Sequence, residues 1–433
     1  MDPLLVALVG FVVMMLLIVL HVPIGVSMAL VGVAGFASIV GWGPAVSLMA
    51  SEPASAMANL DLAVIPLFML MGSLATAAGL ASDVYALAYA LIGHRRGGLA
   101  STTIVASAGF GAICGSGVAT TATFGRVAMP EMLDRGYKAD LAAGSIAAGG
   151  TLGIIVPPSG MMILYAVLTE QSVLDLFTAA IVPAILAIVF YLVAIQVKLT
   201  LDPDAGVRGA RLSYRERIGA VGRSWAVILM FVVVMGGIYS GIFTVNEAAA
   251  IGVIFAFLLA LLRGKLDRAT LVGVLAEASA GTAMIYVMVF GATIFSYFMA
   301  VTGAAAFLID TIAHLPVPPI AILLTLLMLY IVLGAFFDEV AAMVITLPLV
   351  IPLIQSFGYD LVWWGILNVV VIGIGMMAPP IGINVMVLNS MYKSISLRTI
   401  YRGIMPFLIA EILRLTLLTI FPEITLWLPR VMG

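Results

Sequence analysis

"GIIVPPSG", residues 153–160, lies inside an apolar run long enough for a membrane helix, yet it sets two prolines between glycines. A proline in a helix interior removes a backbone hydrogen bond, clashes with the preceding turn and costs about 3 kcal/mol or more. Hydrocarbon offers no water to repair the freed groups, so such a break survives where it is buried in protein or lines a cavity. The pattern returns once. A displacement of 222 residues sets "RGYKADLAAGSIAAGGTLGIIVPPSG" (135–160) over "FGYDLVWWGILNVVVIGIGMMAPPIG" (357–382). Gly136, Tyr137, Gly153, Pro157, Pro158 and Gly160 then meet Gly358, Tyr359, Gly375, Pro379, Pro380 and Gly382. Upstream, without a gap, Val118, Ala119 and Pro130 meet Val340, Ala341 and Pro352. Either Pro-Pro pair alone reads equally well as a kink or an extramembrane turn. Two at one offset read as an internal repeat.

Composition sets the class in which this repeat is to be understood. The 433 residues are 64% hydrophobic and only 9% charged, far from the roughly 25% charged of soluble domains. Apolar runs of bilayer-spanning length recur, as at 3–20, 23–41, 176–197, 225–241, 248–262 and 403–421, so the chain reads as a polytopic membrane protein. The first run has no basic residue ahead of it and no small-residue cleavage site after it, and reads as a retained helix instead of a signal peptide. Cys114 is the only cysteine, which excludes an intrachain disulfide. His21, His94 and His314 stand alone, so no transition-metal site is expected. Nothing calls for a nucleic-acid partner; the surface partner implied is membrane lipid.

All but Arg414 and Arg430 of the 19 Lys and Arg fall in five groups: Arg95–Arg96; Arg126, Arg135 and Lys138; Lys198 to Arg223; Arg263 to Arg268; and Lys393 to Arg402. Basic residues mark the cytoplasmic side. One topology puts all five there, and it requires 101–125 to enter and leave on that side as a re-entrant hairpin with "CGSG" (114–117) at its tip. The flanks of the corresponding second segment, "HLPVPP" (314–319) and "SFGYD" (356–360), hold no Lys or Arg and face the other way. The fold expected is an all-α polytopic membrane protein with inverted-topology repeats, two re-entrant helical hairpins (tips near 114–120 and 335–341) and two broken helices (149–160 and 371–382). Paired broken helices in two inverted halves point to a transporter's midplane binding site. The half-helix ending at "GTLGIIVPP" leaves free carbonyls for a hard cation, and the prolines are expected to open the second half-helix, where a missing N–H costs little. Helix N-termini after the tips, near Val118 and Ala341, offer N–H groups to an anion.

"GFGAICGSGVATTATFGRVAMPEMLDRGY", "AAGGTLGIIVPPSG", "FFDEVAAMVITLPLVIPL" and "MAPPIGINVMV" together resemble the signature stretches of the large membrane subunit (DctM) of tripartite ATP-independent periplasmic (TRAP) transporters, over nearly the whole length. The resemblance implies a secondary transporter of the bacterial inner membrane, not an enzyme, that imports organic acids down a sodium gradient. It also implies a periplasmic substrate-binding protein and a small four-helix membrane subunit, the latter separate because no room for it precedes residue 60. It implies an elevator-type ion transporter fold, divided as N-terminal scaffold helices 1–58, a first repeat 59–168, connecting scaffold helices 169–268 with the cytoplasmic loop 198–223, a second repeat 269–400 and a C-terminal helix 401–433. A self-sufficient divalent-anion/sodium symporter is the alternative; that group usually carries Ser-Asn-Thr at each tip, where this chain has "GSGVATT" and "DEVAAM". A polytopic membrane enzyme would need a nucleophile paired with a base, or a metal cluster, at one depth, and neither is visible.

Ionisable groups inside membrane segments are functional candidates, and Asp338 and Glu339 stand out. Two sodium cages are expected: one from Ser116, Thr120 and carbonyls near Gly115 with those around Gly150 and Gly153, the other from Asp338 and Gly334 with carbonyls around Gly373 and Gly375. The substrate carboxylate is expected between the tips, near the N–H groups after Gly117, at Ala119 and at Glu339, with Ser159 and Asn384 in reach. Arg126 has two readings, a snorkelling cation or a partner of the substrate carboxylate. Asp61, Glu247 and Glu277 read as interfacial or helix-pairing carboxylates.

Overall fold

The computed structural model describes residues 2–314 and 316–432. Within them every regular element is a helix, apart from one isolated bridge between Arg96 and Arg208. Eight helices among the described residues are long and apolar enough to cross a bilayer; the runs 176–197, 248–262 and 403–421 fall on three of them, 3–20 and 23–41 on shorter apolar helices, and 225–241 on one arm of a bent pair.

The segment 101–125 is not one helix. Helix Gly98–Cys114 stops at Gly115, whose φ of +65° is open to glycine at little cost, and helix Gly117–Asp134 starts after Ser116. Both far ends of this hairpin are tied to one loop. Gly97 N–H donates to the Val207 carbonyl (3.3 Å), Lys138 N–H to that of Ala205 (3.1 Å), and the Tyr137 hydroxyl donates to Val207 O (2.8 Å) while accepting from Leu99 N–H (3.1 Å). The two far ends therefore lie against the same loop. Pro319–Phe336 and Glu339–Ser356 form a second helix pair broken at Phe337–Asp338. One flank of that pair includes Leu315, which lies outside the described residues.

The proline pairs interrupt helices in both halves. Ala139–Ile155 and Gly160–Thr169 flank the first break, Leu361–Met377 and Ile383–Met391 the second. The prolines do not open the second half-helices as expected: Pro157 and Pro158 precede the cap residue Ser159, and Gly160 is the first helical residue. The reason is local, since a residue before proline is pushed out of the α region and two in a row extend the gap. Helix starts at Gly117 and Glu339, and at Ala139 and Leu361, lie 222 positions apart, the spacing read from the sequence.

Two groups of packed helices carry these elements. In one, Ile24–Val40 lies along the 35-residue helix Arg268–Thr302, with Val64–Ala77 and Val245–Leu262 beside it. Gly25 and Gly291 face each other so closely that a Cβ on either would strike the other helix's backbone, the small-residue contact that lets membrane helices approach. The other holds the hairpins and broken helices; a Cβ at Gly111 would stand 2.8 Å from the Gly153 Cα. Helix Val173–Leu201 packs on Ala139–Ile155 and on Leu397–Ile420, with Ala180, Ala187 and Tyr191 among its buried residues. The C-terminal stretch is two helices, Leu397–Ile420 and Glu423–Met432, parted at Phe421 before Pro422.

Candidate functional site

Each break abuts the tip of its own half. A Cβ at Gly115 would stand 3.2 Å from the Pro158 carbonyl and 3.3 Å from Gly160 N, and Gly382 N–H donates to Ala335 O (3.2 Å) just before the second tip. The tips in turn meet each other: Ser116 Oγ donates to Glu339 Oε1 at 3.4 Å, and Glu339 Oε2 stands beside Gly117. Four irregular segments thus converge on one place.

The first expected cage is assembled and enlarged. The carbonyl of Ser116 and Thr120 Oγ1 face Gly153, at 2.6 and 2.7 Å from where its Cβ would be. Gly150 faces the Gly117 carbonyl, Thr121 Oγ1 and the Asn384 amide. Thr121 Oγ1, Asn384 Oδ1 and Glu339 Oε2 are buried with no hydrogen-bond partner. A buried unpartnered polar atom costs about 1–3 kcal/mol, and these atoms, with the carbonyls of Ser116 and Gly117, are oxygens of the kind a hard cation prefers. Asn384, expected in reach of the substrate, is fully buried beside Gly150, with Nδ2 donating to Ala147 O (3.1 Å). Ser159 is likewise buried and engaged, donating to Ile154 O at 2.6 Å and capping the helix that follows.

The second cage is partly brought together. Gly334 packs on Gly375 and the Ile372 carbonyl, whereas Gly373 faces Thr151 and Ile154 of the first broken helix. Asp338 Oδ1 accepts from Val340 N–H (3.0 Å) and Ala341 N–H (2.9 Å), so this carboxylate caps the helix after the tip as well as offering charge.

A cavity of about 410 Å³ opens between the tips and the helices Val64–Ala77 and Arg268–Thr302. Gly115, Ser116, Ala119, Arg126, Asp338 and Glu339 all line it. Arg126 lines this space while remaining exposed. Glu277 lines it too, a position that helical spacing alone did not separate from an interfacial one. Thr121 was equally hidden: the "ATT" run shows two hydroxyls, and only the fold tells which faces Gly150. Glu247 is a capping residue, accepting from Thr244 N–H at 2.8 Å. Among the described residues no three His, Cys, Asp or Glu gather for a metal ion.

Broken helices meeting the breaks of two helix pairs around one cavity define the architecture, and two solved transporter structures share it at the level of fold. The chain superposes on the YdaH transporter of Alcanivorax borkumensis (TM-score 0.59, 15% identity, 88% of this chain and 89% of that one) and on MtrF of Neisseria gonorrhoeae (TM-score 0.56, 11% identity, 89% and 85%). Sequence carries the assignment further. The family described as the DctM component of the tripartite ATP-independent periplasmic transporter matches residues 11–424, and the chain belongs to that family. It is 33% identical to the C4-dicarboxylate TRAP transporter large permease protein DctM of Pseudomonas aeruginosa, covering 86% of this chain and 87% of that protein. It is 29% identical to the sialic acid large permease SiaM of Vibrio cholerae (89% and 90%) and 31% identical to the isethionate permease DctMQ of Oleidesulfovibrio alaskensis (94% and 63%). The chain is a multi-pass transporter subunit and not an enzyme.

Proposed function

We propose that this chain is the large membrane subunit of a sodium-coupled, binding-protein-dependent importer of organic acids in the bacterial inner membrane. The observation that carries the reading is the Ser116–Glu339 contact, which joins the two hairpin tips beside a cavity lined by Arg126. Sodium is cargo here. The oxygens of Ser116, Gly117, Thr120, Thr121 and Asn384 around Gly150 and Gly153 form one site; Asp338, near Gly334 and Gly375, supplies the charge of the second. The substrate's anionic group lies in the cavity, against the helix N-termini at Gly117 and Glu339 and the Arg126 guanidinium. The names of the relatives point to small carboxylates or a sulfonate.

The equal spacing of helix boundaries supports an internal repeat, and basic residues at the first pair of flanks but none at the second support its inversion, with each hairpin re-entrant from its own side. On that topology the cavity opens toward the cytoplasm, since Glu277 and Thr76 lie near the ends marked by Arg263 and Arg268. The hairpin group then moves as an elevator against the group built on Arg268–Thr302. The chain matches only 63% of DctMQ, and the extra length of that relative accords with a fused small subunit there.

Proteoliposomes test this. Chain, small subunit and loaded binding protein together should take up succinate, sialic acid or isethionate only under an inward sodium gradient, and the chain alone should take up none. Comparable uptake by the chain alone would turn the reading to a self-sufficient symporter.

A further inference from the structure

Three basic stretches far apart in sequence meet at one end of the hairpin group. Lys138 ion-pairs Asp202 at 2.7 Å and Lys198 ion-pairs Asp140 at 2.9 Å. Arg398 and Arg402, on the helix Leu397–Ile420, line the same cavity of about 1140 Å³ as Lys138, Asp140 and Asp202. No carboxylate among the described residues pairs with either arginine. Lys138, Arg398 and Arg402 against Asp140 and Asp202 leave this cavity with an excess of positive charge.

Arg402 also heads a contiguous cavity of about 850 Å³ that runs away from the charges. Its walls are Val189, Val193 and Val197 on one side and Met405, Ile409 and Leu413 on the other, all exposed and each set at four-residue spacing along its helix. Ala194 and Ala410 leave room between them. From Val189 to Leu201 the helix rises about 18 Å, close to one leaflet's share of a hydrocarbon core roughly 30 Å thick. A basic pocket that continues into an apolar groove one leaflet deep matches a molecule with an anionic head and an acyl chain.

We propose that the two cavities form a site for an anionic glycerophospholipid of the leaflet on this side, with its phosphate at Arg398 and Arg402 and one acyl chain between Val193 and Ile409. A zwitterionic lipid would leave the excess charge unmatched. A soluble phosphate would leave the groove unfilled. The site touches the transport machinery: Pro379 forms part of the head cavity, and the Tyr401 hydroxyl lies 2.8 and 2.9 Å from the carbonyls of Pro380 and Ile381. The bound lipid therefore rests against the second helix break and steadies it.

The test is native mass spectrometry of the full chain in detergent, titrated with phosphatidylglycerol and separately with phosphatidylcholine. The wild type should retain phosphatidylglycerol preferentially. Arg398→Gln with Arg402→Gln should weaken it by about 10- to 30-fold, since each basic residue near an anionic lipid surface contributes about fivefold. Val193→Trp, which fills the groove and leaves every charge in place, should also lose the adduct, and a folding defect in one variant leaves the other as a valid test. Inorganic phosphate and glycerol 3-phosphate should not displace the lipid. Equal retention of the two lipids, wild-type affinity in either variant, or displacement by inorganic phosphate would each overturn it.

Discussion

Asp338 holds two jobs that substitution can separate. Its Oδ1 caps the helix Glu339–Ser356 through Val340 and Ala341, and its charge, on the account above, serves a sodium ion. Asparagine caps about as well as aspartate, whereas alanine costs ~1 kcal/mol. Asp338→Asn should therefore unfold at the wild-type temperature in KCl but lose the second site's share of the upward shift that NaCl gives the wild type, a share worth about 2.7 kcal/mol at a hundredfold excess over that site's Kd. Asp338→Ala should also unfold earlier in KCl. A full sodium-dependent shift in Asp338→Asn would remove the residue from the site. The residue scale is also where the sequence was least legible. Asp338 and Glu339 announced themselves as charges in an apolar run, and Gly150 and Gly153 as glycines beside a break. Asn384 and Ser159 could not be placed, because a polar side chain next to a break serves a cation, a cap or a substrate according to a turn of the helix. Thr121 and Glu277 were missed as site residues for the same reason: their neighbours come from other helices.

Elements were far more legible, since prolines and glycines dictate where helices end. The tips and breaks fall where "CGSG", "FFDE" and the two Pro-Pro pairs put them, and the offset of 222 residues fixed the second set from the first. What the pattern did not carry was which helix packs on which: Val173–Leu201 is apolar all round, and nothing in its periodicity distinguishes a partner. Close packing gives a prediction at this scale. On the helix Arg268–Thr302, Gly291 abuts the backbone of Gly25 while Gly273 faces open space. Gly291→Ala should lower stability by about 1–3 kcal/mol through overpacking, whereas Gly273→Ala should raise it by up to ~1 kcal/mol through helix propensity. Thermal unfolding of the two variants in detergent checks both; equal effects would mean that the helix Ile24–Val40 does not rest on Gly291.

At the scale of the whole molecule, transport by an elevator requires the hairpin group to slide against the helices that hold it, and one contact offers a way to stop that motion. Gly72, on Val64–Ala77, packs against the first hairpin tip: a Cβ there would stand 3.1 Å from the Cα of Cys114, the only cysteine of the chain. That places a Gly72→Cys side chain within the Cβ separation of roughly 3.5–4.5 Å that a disulfide spans. The variant, reconstituted with its small subunit and loaded binding protein, would be oxidised with copper phenanthroline and its sodium-driven uptake measured before and after reduction, with Gly72→Cys/Cys114→Ser as the control. Uptake should fall to background when the two thiols are joined and return on reduction, while the control is unaffected. A fully cross-linked protein that transports at the reduced rate would contradict a moving hairpin group.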